Sequence, residues 1–222
     1  LDRDKAKLEA AAGGARLSPF IGQIDADRVG IGERFVEALI RRGDRVRVVD
    51  DLATGRRDAL DPAFLADGRL ELVVADLAAP GVAAAAVAGV RDVFHLAAVS
   101  SVPRTVADPV GSDRVNVGGT VALLTAAAAA GVRHLVFSSS SAIYGDSSSP
   151  VQDEADPPRP ASPYAVQKLA GEQYVAVFSR LQGLHATCLR YFNVFGPGQP
   201  EASGSIVPRW LRRLAAGQPL DV

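Results

Sequence analysis

SSSSAIYGDSSSPVQDEADPPRPASPYAVQK, residues 138–168, is the stretch on which the fold assignment turns. It begins where the apolar run His134–Phe137 gives way to four hydroxyls, the mark of a buried strand reaching its end. It ends inside a helix, for Ser162 is a natural N-cap and Pro163 a natural first helical residue. Pro157, Pro158 and Pro160 stiffen the loop between them. Tyr164 and Lys168 stand four apart and therefore share a helix face. Free Tyr titrates near ~10 and is a poor base at neutral pH. A cation roughly 4 Å away, at an effective dielectric of about 20, favours the phenolate by on the order of 4 kcal/mol, a few pKa units. The pair is a candidate base for drawing a proton from an alcohol, with Ser140 as a candidate hydroxyl beside it.

Working outward, the same alternation recurs. Gly32–Arg42 patterns as an amphipathic helix with Phe35, Val36, Leu39 and Ile40 on its apolar face and Gly43 as its stop. Strands are predicted at Arg45–Val49, Leu70–Val74, Asp92–Leu96, His134–Phe137 and His185–Tyr191. Further helices are predicted at Ala79–Ala88, from about Ser112 to Ala130, from Ser162 to near Gly183, and over about Ile206–Ala216. Strands alternating with helices predict an α/β class: a doubly wound, Rossmann-like, mostly parallel sheet with helices on both faces. Ligands of such sheets bind at the carboxyl ends of the strands. Polar or small residues fall at those ends here: Asp50, Asp76, His95–Ala98, Ser138–Ser141 and Asn193.

Composition narrows the class further. The chain has 222 residues, 48% hydrophobic, with a formal net charge of −1, which argues against a nucleic-acid or anionic-membrane surface. A single cysteine, Cys188, has no internal disulfide partner and suits a reducing cytoplasm. The charged start LDRDKAKLEAAAGG has no apolar core of a secretory signal. The Ala-rich runs Val82–Val90 and Val121–Val132 are too short to span a bilayer. His95, His134 and His185 are scattered, so no metal site is expected.

Several residues carry chemistry beside an ordinary reading. Asp50, 18 residues after Gly32 at a strand end, suits the ribose hydroxyls of NAD and repels the extra phosphate of NADP; otherwise it is a loop acid. Arg56 and Arg57 are the residues that would favour NADP instead. Asp76 is either an adenine contact or a helix cap. Asn116, beside Gly118 and Gly119 inside a helix, is either a surface Asn or a point of close approach. Only three of the 24 basic residues are Lys, and Lys168 is the one outside the first seven positions. A compact ammonium there, rather than a planar guanidinium, can sit between a phenol and a ribose.

Taken together, HLAA (95–98), NVGGT (116–120), SSSSAIYG (138–145), YAVQK (164–168) and LRYFNVFGPGQ (189–199) resemble the extended short-chain dehydrogenase/reductase superfamily. The resemblance is to its NAD-dependent epimerase/dehydratase branch, nearest the UDP-glucose and UDP-N-acetylglucosamine 4-epimerases, and covers about Gly32 to Val222. It implies Tyr164 as catalytic base, Lys168 as its partner on the nicotinamide ribose, and Ser140 at the sugar C4 oxygen. For the cofactor it implies Gly32, Asp50, Asp51, Leu52, Thr54, Gly55, Asp76, Leu77, Leu96, Ala97, Ala98, Ser100, Asn116, Ser138 and Phe192, besides Tyr164 and Lys168. Asn193 is implied at the nucleotide-sugar phosphates. A homodimer is implied, paired through Ser112–Ala130 and Ser162–Gln182. Dehydratases of this branch follow the catalytic hydroxyl with Asp-Glu. Ser141 and Ala142 stand there in this chain, which favours the simpler redox cycle of a 4-epimerase on a UDP-sugar; the alternatives are another nucleotide-sugar reductase or epimerase of the branch, or a non-catalytic remnant of the fold that lacks the glycine loop.

The start of the chain departs from that pattern. Neither glycine-loop register is intact: Ala26 and Val29 occupy one, Phe35 interrupts the other. The expected division is therefore an aberrant or irregular segment at 1–30, an NAD-binding domain at 31–193, and the opening of a truncated nucleotide-sugar lobe at 194–222. Leu1–Ala12 patterns as a short helix, and Phe20–Ile24 as a weak strand interrupted by Gly22. The chain is read as a fragment of a longer protein.

Overall fold

A computed structural model describes residues 20–21, 31–146, 151–195 and 206–220. The predicted helix at Leu1–Ala12 and the glycine-loop positions Ala26, Val29 and Gly30 lie outside the described residues, while Gly32 and Phe35 fall within the helix Ile31–Arg41.

Strand β1, Phe20–Ile21, is followed by helix α1, Ile31–Arg41, and β2, Val46–Asp50. Then come α2, Pro62–Ala66, β3, Leu70–Val74, α3, Val82–Val87, and β4, Asp92–His95. Two short helices, α4 (Val102–Ala107) and α5 (Pro109–Asp113), lead through a π-helical turn at Arg114–Gly118 into α6, Gly119–Ala129. Strand β5 is His134–Ser140, α7 is Pro163–Gln182, β6 is Ala186–Tyr191 and α8 is Ile206–Ala215. Among the described residues six strands run parallel, in the order β3-β2-β1-β4-β5-β6.

That order reverses between β1 and β4, which opens a crevice at the strand carboxyl ends. Strand β1 pairs with β2 through Phe20↔Val48 and with β4 through Phe20↔Phe94. The sheet therefore reaches back before residue 31, the boundary drawn from the sequence.

A parallel sheet must be covered on both faces, and the two cores follow the pleat. Phe94, Val136 and Leu189 pack with Val36, Leu39 and Ile40 of α1. Val93, Leu135 and Phe137, pointing the other way, pack with Leu123, Leu124 and Ala127 of α6 and Val175 of α7. The predicted Ser112–Ala130 helix is thus a longer helical run whose start, α5, is capped by Asp108 accepting from Gly111 N–H at 2.8 Å.

Helix α7 matches its sequence signals. The Ser162 hydroxyl accepts from Ala165 N–H at 3.2 Å, Pro163 opens the first turn, and Gly183 closes the helix at φ 67°. Left-handed backbone there suits Gly, which has no Cβ to clash. Gly171 has a different role: it lets α7 rest on β5. A Cβ added at Gly171 would overlap the tip of the Phe137 ring, with Cε1 at 3.0 Å and Cε2 at 3.1 Å and Cζ nearer still. Gly171→Ala is therefore expected to destabilise the fold by about 1–3 kcal/mol, the range for overpacking a filled core. A denaturant titration showing an unchanged midpoint would contradict this packing.

Candidate active site

Strand β5 ends in three serines that point alternately to the two faces of the sheet. Each makes a different contact. The Ser138 carbonyl accepts from Lys168 Nζ at 2.8 Å. The Ser139 hydroxyl donates to Glu172 Oε1 at 2.5 Å. The Ser140 oxygen accepts from Ala142 N–H at 3.1 Å, a bond that leaves its hydroxyl hydrogen to donate elsewhere.

Lys168 projects from α7 toward this end. Its ammonium is buried, 5.1 Å from the Phe137 ring centre and 5.8 Å from that of Tyr164. Burial pushes it down from 10.5 to about 8, so it remains predominantly charged at neutral pH. Tyr164, in the first turn of the same helix, is also buried. The structure thus brings Tyr164, Lys168 and Ser138 together, with Ser140 at the adjoining strand terminus.

Behind them lies a polar interior that the sequence did not disclose. Glu172 takes both Nε and Nη2 of Arg190, at 3.0 and 2.9 Å, while Arg190 Nη1 donates to the Tyr144 hydroxyl at 2.9 Å. This anchors β6 to α7. His95 Nε2 lies 2.8 Å from Thr120 Oγ1, whose hydrogen goes to the Asn116 carbonyl at 2.6 Å. The imidazole must therefore donate from Nε2. Burial, then the Lys168 charge, pushes His95 down from 6.5 to about 3. His95 Nδ1 and Ser138 Oγ are buried without a hydrogen-bond partner among the described residues.

A cavity of about 260 Å³ opens at the ends of β2, β3 and β4, lined by Asp50, Asp51, Asp76, Leu77, Ala97 and Ala98 among others. Asp50 is buried and accepts from Leu52 N–H at 2.6 Å; Leu52 itself is at φ 55°, an uncommon conformation for a bulky residue. Asp76 caps the following turn through Ala78 N–H at 2.9 Å and pairs with Arg114 at 2.7 Å. Burial pushes its carboxyl up, but the Arg114 guanidinium and the Ala78 N–H together hold it below its ordinary value. Arg56, the sequence's candidate for a phosphate, is tied to Asp58 at 2.9 Å.

Other predicted residues fall elsewhere. Asn116 is buried, with its carboxamide directed to Val99 and Gln167. Phe192 is exposed and stacks on Tyr144 at 6.4 Å, and Asn193 is exposed beside it at the end of β6. The cavity and the Tyr164–Lys168 group are separate parts of one strand-end edge. Among the described residues no three His, Cys, Asp or Glu cluster as metal ligands, and no helix is long and apolar enough to cross a membrane.

The model of the NAD dependent epimerase/dehydratase family matches residues 30–222. The chain is 38% identical to a UDP-glucose 4-epimerase of Mycolicibacterium smegmatis over 191 residues, 85% of this chain and 61% of that protein. It superposes on the Thermus thermophilus UDP-glucose 4-epimerase in complex with NAD with a TM-score of 0.77 at 35% identity, covering 90% of this chain and 64% of that one. The UDP-N-acetylglucosamine 4-epimerase of Methanobrevibacter ruminantium, in complex with UDP-N-acetylmuramic acid, superposes with a TM-score of 0.81 at 31% identity, covering 92% and 64%. The chain therefore spans about three-fifths of the length of these relatives.

The buried Lys168 makes stability depend on pH. Its folded pKa, about 8, lies below the unfolded value of 10.5. Between the two the unfolded chain binds the extra proton, so Lys168 contributes stability that grows as pH rises from 8 toward 10.5 and is absent below 8. His95 acts with the same sign between about 3 and 6.5, so its contribution is lost as pH falls through that window. Lys168→Met is expected to remove the alkaline gain, read as the difference between wild-type and variant denaturation midpoints across pH. A difference that is flat above pH 8 would contradict the burial of the ammonium.

Proposed function

The chain belongs to the NAD dependent epimerase/dehydratase family, and from that premise we propose that it is the cofactor-binding part of a nucleotide-sugar 4-epimerase. The reaction passes through a transient 4-keto sugar. The observation that carries this reading is the buried Lys168 ammonium beside Tyr164 at the end of β5, with the Ser140 hydroxyl at the same strand terminus.

The residues fit NAD, the family's cofactor. Small Ala97 and Ala98 line the crevice floor, and Asp50 and Asp51 line the cavity at the end of β2. Strands β2 and β5 are separated by three spacings, about 14 Å at roughly 4.8 Å each. Asp50 and Asp51 would hold the adenosine half of such a dinucleotide, and Tyr164 and Lys168 its nicotinamide half. The tie between Arg56 and Asp58 supports NAD over NADP, because that guanidinium already has a carboxylate partner.

NAD, when bound there, would supply a hydride acceptor for sugar C4 that can give the hydride back to the opposite face. Tyr164 as phenolate accepts the C4 hydroxyl proton as the C4–O bond becomes a carbonyl, and gives it back when the alcohol re-forms. No net oxidation results. Ser140 donates its hydroxyl hydrogen to the C4 oxygen. Lys168 holds its charge near the phenolate and has N–H groups beyond the one on Ser138 to offer the nicotinamide ribose. Asn193, exposed just beyond β6, is the residue this reading assigns to the sugar-nucleotide phosphates. Ser141 and Ala142, following Ser140, provide no acid or base for eliminating water, which favours epimerisation over dehydration.

A UDP-sugar is the favoured substrate class, and the cytoplasm the favoured compartment. A homodimer is part of the same reading: Val166, Tyr174, Val177 and Leu181 form one exposed apolar stripe along α7. The test is turnover of UDP-glucose to its C4 epimer by this chain with NAD. Tyr164→Phe is expected to lower turnover by at least about 100-fold, as for loss of an acid–base group, while NAD affinity stays within about threefold. Turnover retained in Tyr164→Phe would sink the assignment.

A further inference from the structure

A buried ladder of amides joins the helix bearing Tyr164 to the loop after β4. Gln167, immediately before Lys168, is only 3% exposed. Its Oε1 accepts from Asn116 Nδ2 at 2.7 Å. Its Nε2 donates to Ser112 Oγ at 2.9 Å and to the Pro109 carbonyl at 3.4 Å. Asn116 completes the ladder: its Oδ1 accepts from Val99 N–H at 2.7 Å and its Nδ2 donates to the Val99 carbonyl at 3.1 Å. The Asn116 carboxamide thus grips both polar groups of Val99 as a neighbouring strand would. Both amide hydrogens of each side chain are engaged.

Gln is ordinarily a surface residue, and a helix packed this closely takes an apolar side chain of that size without burying polar atoms. What Gln167 adds is a fixed distance. It couples Tyr164 and Lys168, on its own helix, to Leu96–Ser100, the loop over which the cofactor passes in the proposed reaction. We infer that Gln167 is a positioning residue: through Asn116 it sets the separation between the Tyr164–Lys168 pair and the cofactor loop. This rests on the reading of Tyr164 as the base.

Two substitutions of similar length separate positioning from packing. Gln167→Met fills the space and breaks the ladder. Gln167→Glu, held neutral by burial, keeps an oxygen for Asn116 Nδ2 and an O–H to donate to Ser112 Oγ, whose own hydrogen goes to the Pro109 carbonyl. Expected for Gln167→Met is a fall in kcat of about 10–100-fold, the scale of a displacement near 1 Å, with the Kd for NAD within about threefold. Gln167→Glu restores kcat to within about fivefold of wild type. Wild-type turnover by the Met variant, or equal losses in both, overturns the inference. Should Gln167→Met not fold, Ser112→Ala strips the far end of the ladder and must lower kcat several-fold at unchanged Kd for NAD; an unchanged kcat overturns it. Absence of turnover in the wild-type chain would count against the proposed reaction, not the ladder. Amide exchange of residues 96–100 then decides: about 10-fold faster in the Met variant and unchanged in the Glu variant supports the coupling, and equal exchange in all three overturns it.

Discussion

The hydrogen bond from Lys168 Nζ to the Ser138 carbonyl is the contact on which the site depends. A lysine reaches a strand carbonyl only if its helix lies close to the sheet, and Gly171, against the Phe137 ring, permits that approach. The same closeness buries the ammonium and pushes it down to about 8. That value still leaves the charge in place at neutral pH. Packing and chemistry are therefore one constraint: the contact that seats α7 on β5 also holds a cation beside Tyr164.

Parallel topology supplies the rest of the arrangement. Every strand of the sheet ends on the same side, so residues distant in sequence share one edge. The end of β2 brings Asp50, β3 leads to Asp76, β4 leads to Ala97 and Ala98, and β5 ends in its serines. Alternation along β5 then assigns roles. Ser139 turns to α7 and joins Glu172 and Arg190, which bind β6 to the helix. Ser140 turns the other way and finishes at the strand end with its hydroxyl hydrogen still to give. Glu172 and Arg190, largely withdrawn from water, favour each other strongly; removing either would strand a charge, which is worse than never having had the pair.

Local chemistry was legible in the sequence, and long-range pairing was not. Ser162, Pro163 and Gly183 marked both ends of α7 because caps and stops act within a few residues. The strand ends were readable because polar residues follow apolar runs. By contrast, Asn116 showed only as an odd residue in a helix beside two glycines. Its partners, Val99 and Gln167, lie 17 and 51 residues away, a distance over which no periodicity speaks. Glu172 and Arg190 escaped notice for the same reason. Helices α4 and α5 were missed although Ser101 and Asp108 cap them, since each is too short to develop an apolar period. Phe20–Ile24 looked weak because Gly22 interrupts it, yet pairing on both sides makes Phe20–Ile21 a central strand.

The central claim is that Tyr164 and Lys168 act on a sugar alcohol beside bound NAD. It is tested most directly by following the near-ultraviolet absorbance of reduced nicotinamide in the NAD-loaded chain as a UDP-sugar is added. The account predicts a transient rise that decays as the epimer forms, absent in Tyr164→Phe. No reduced nicotinamide despite bound NAD and bound sugar, or an equal rise in Tyr164→Phe, would contradict it.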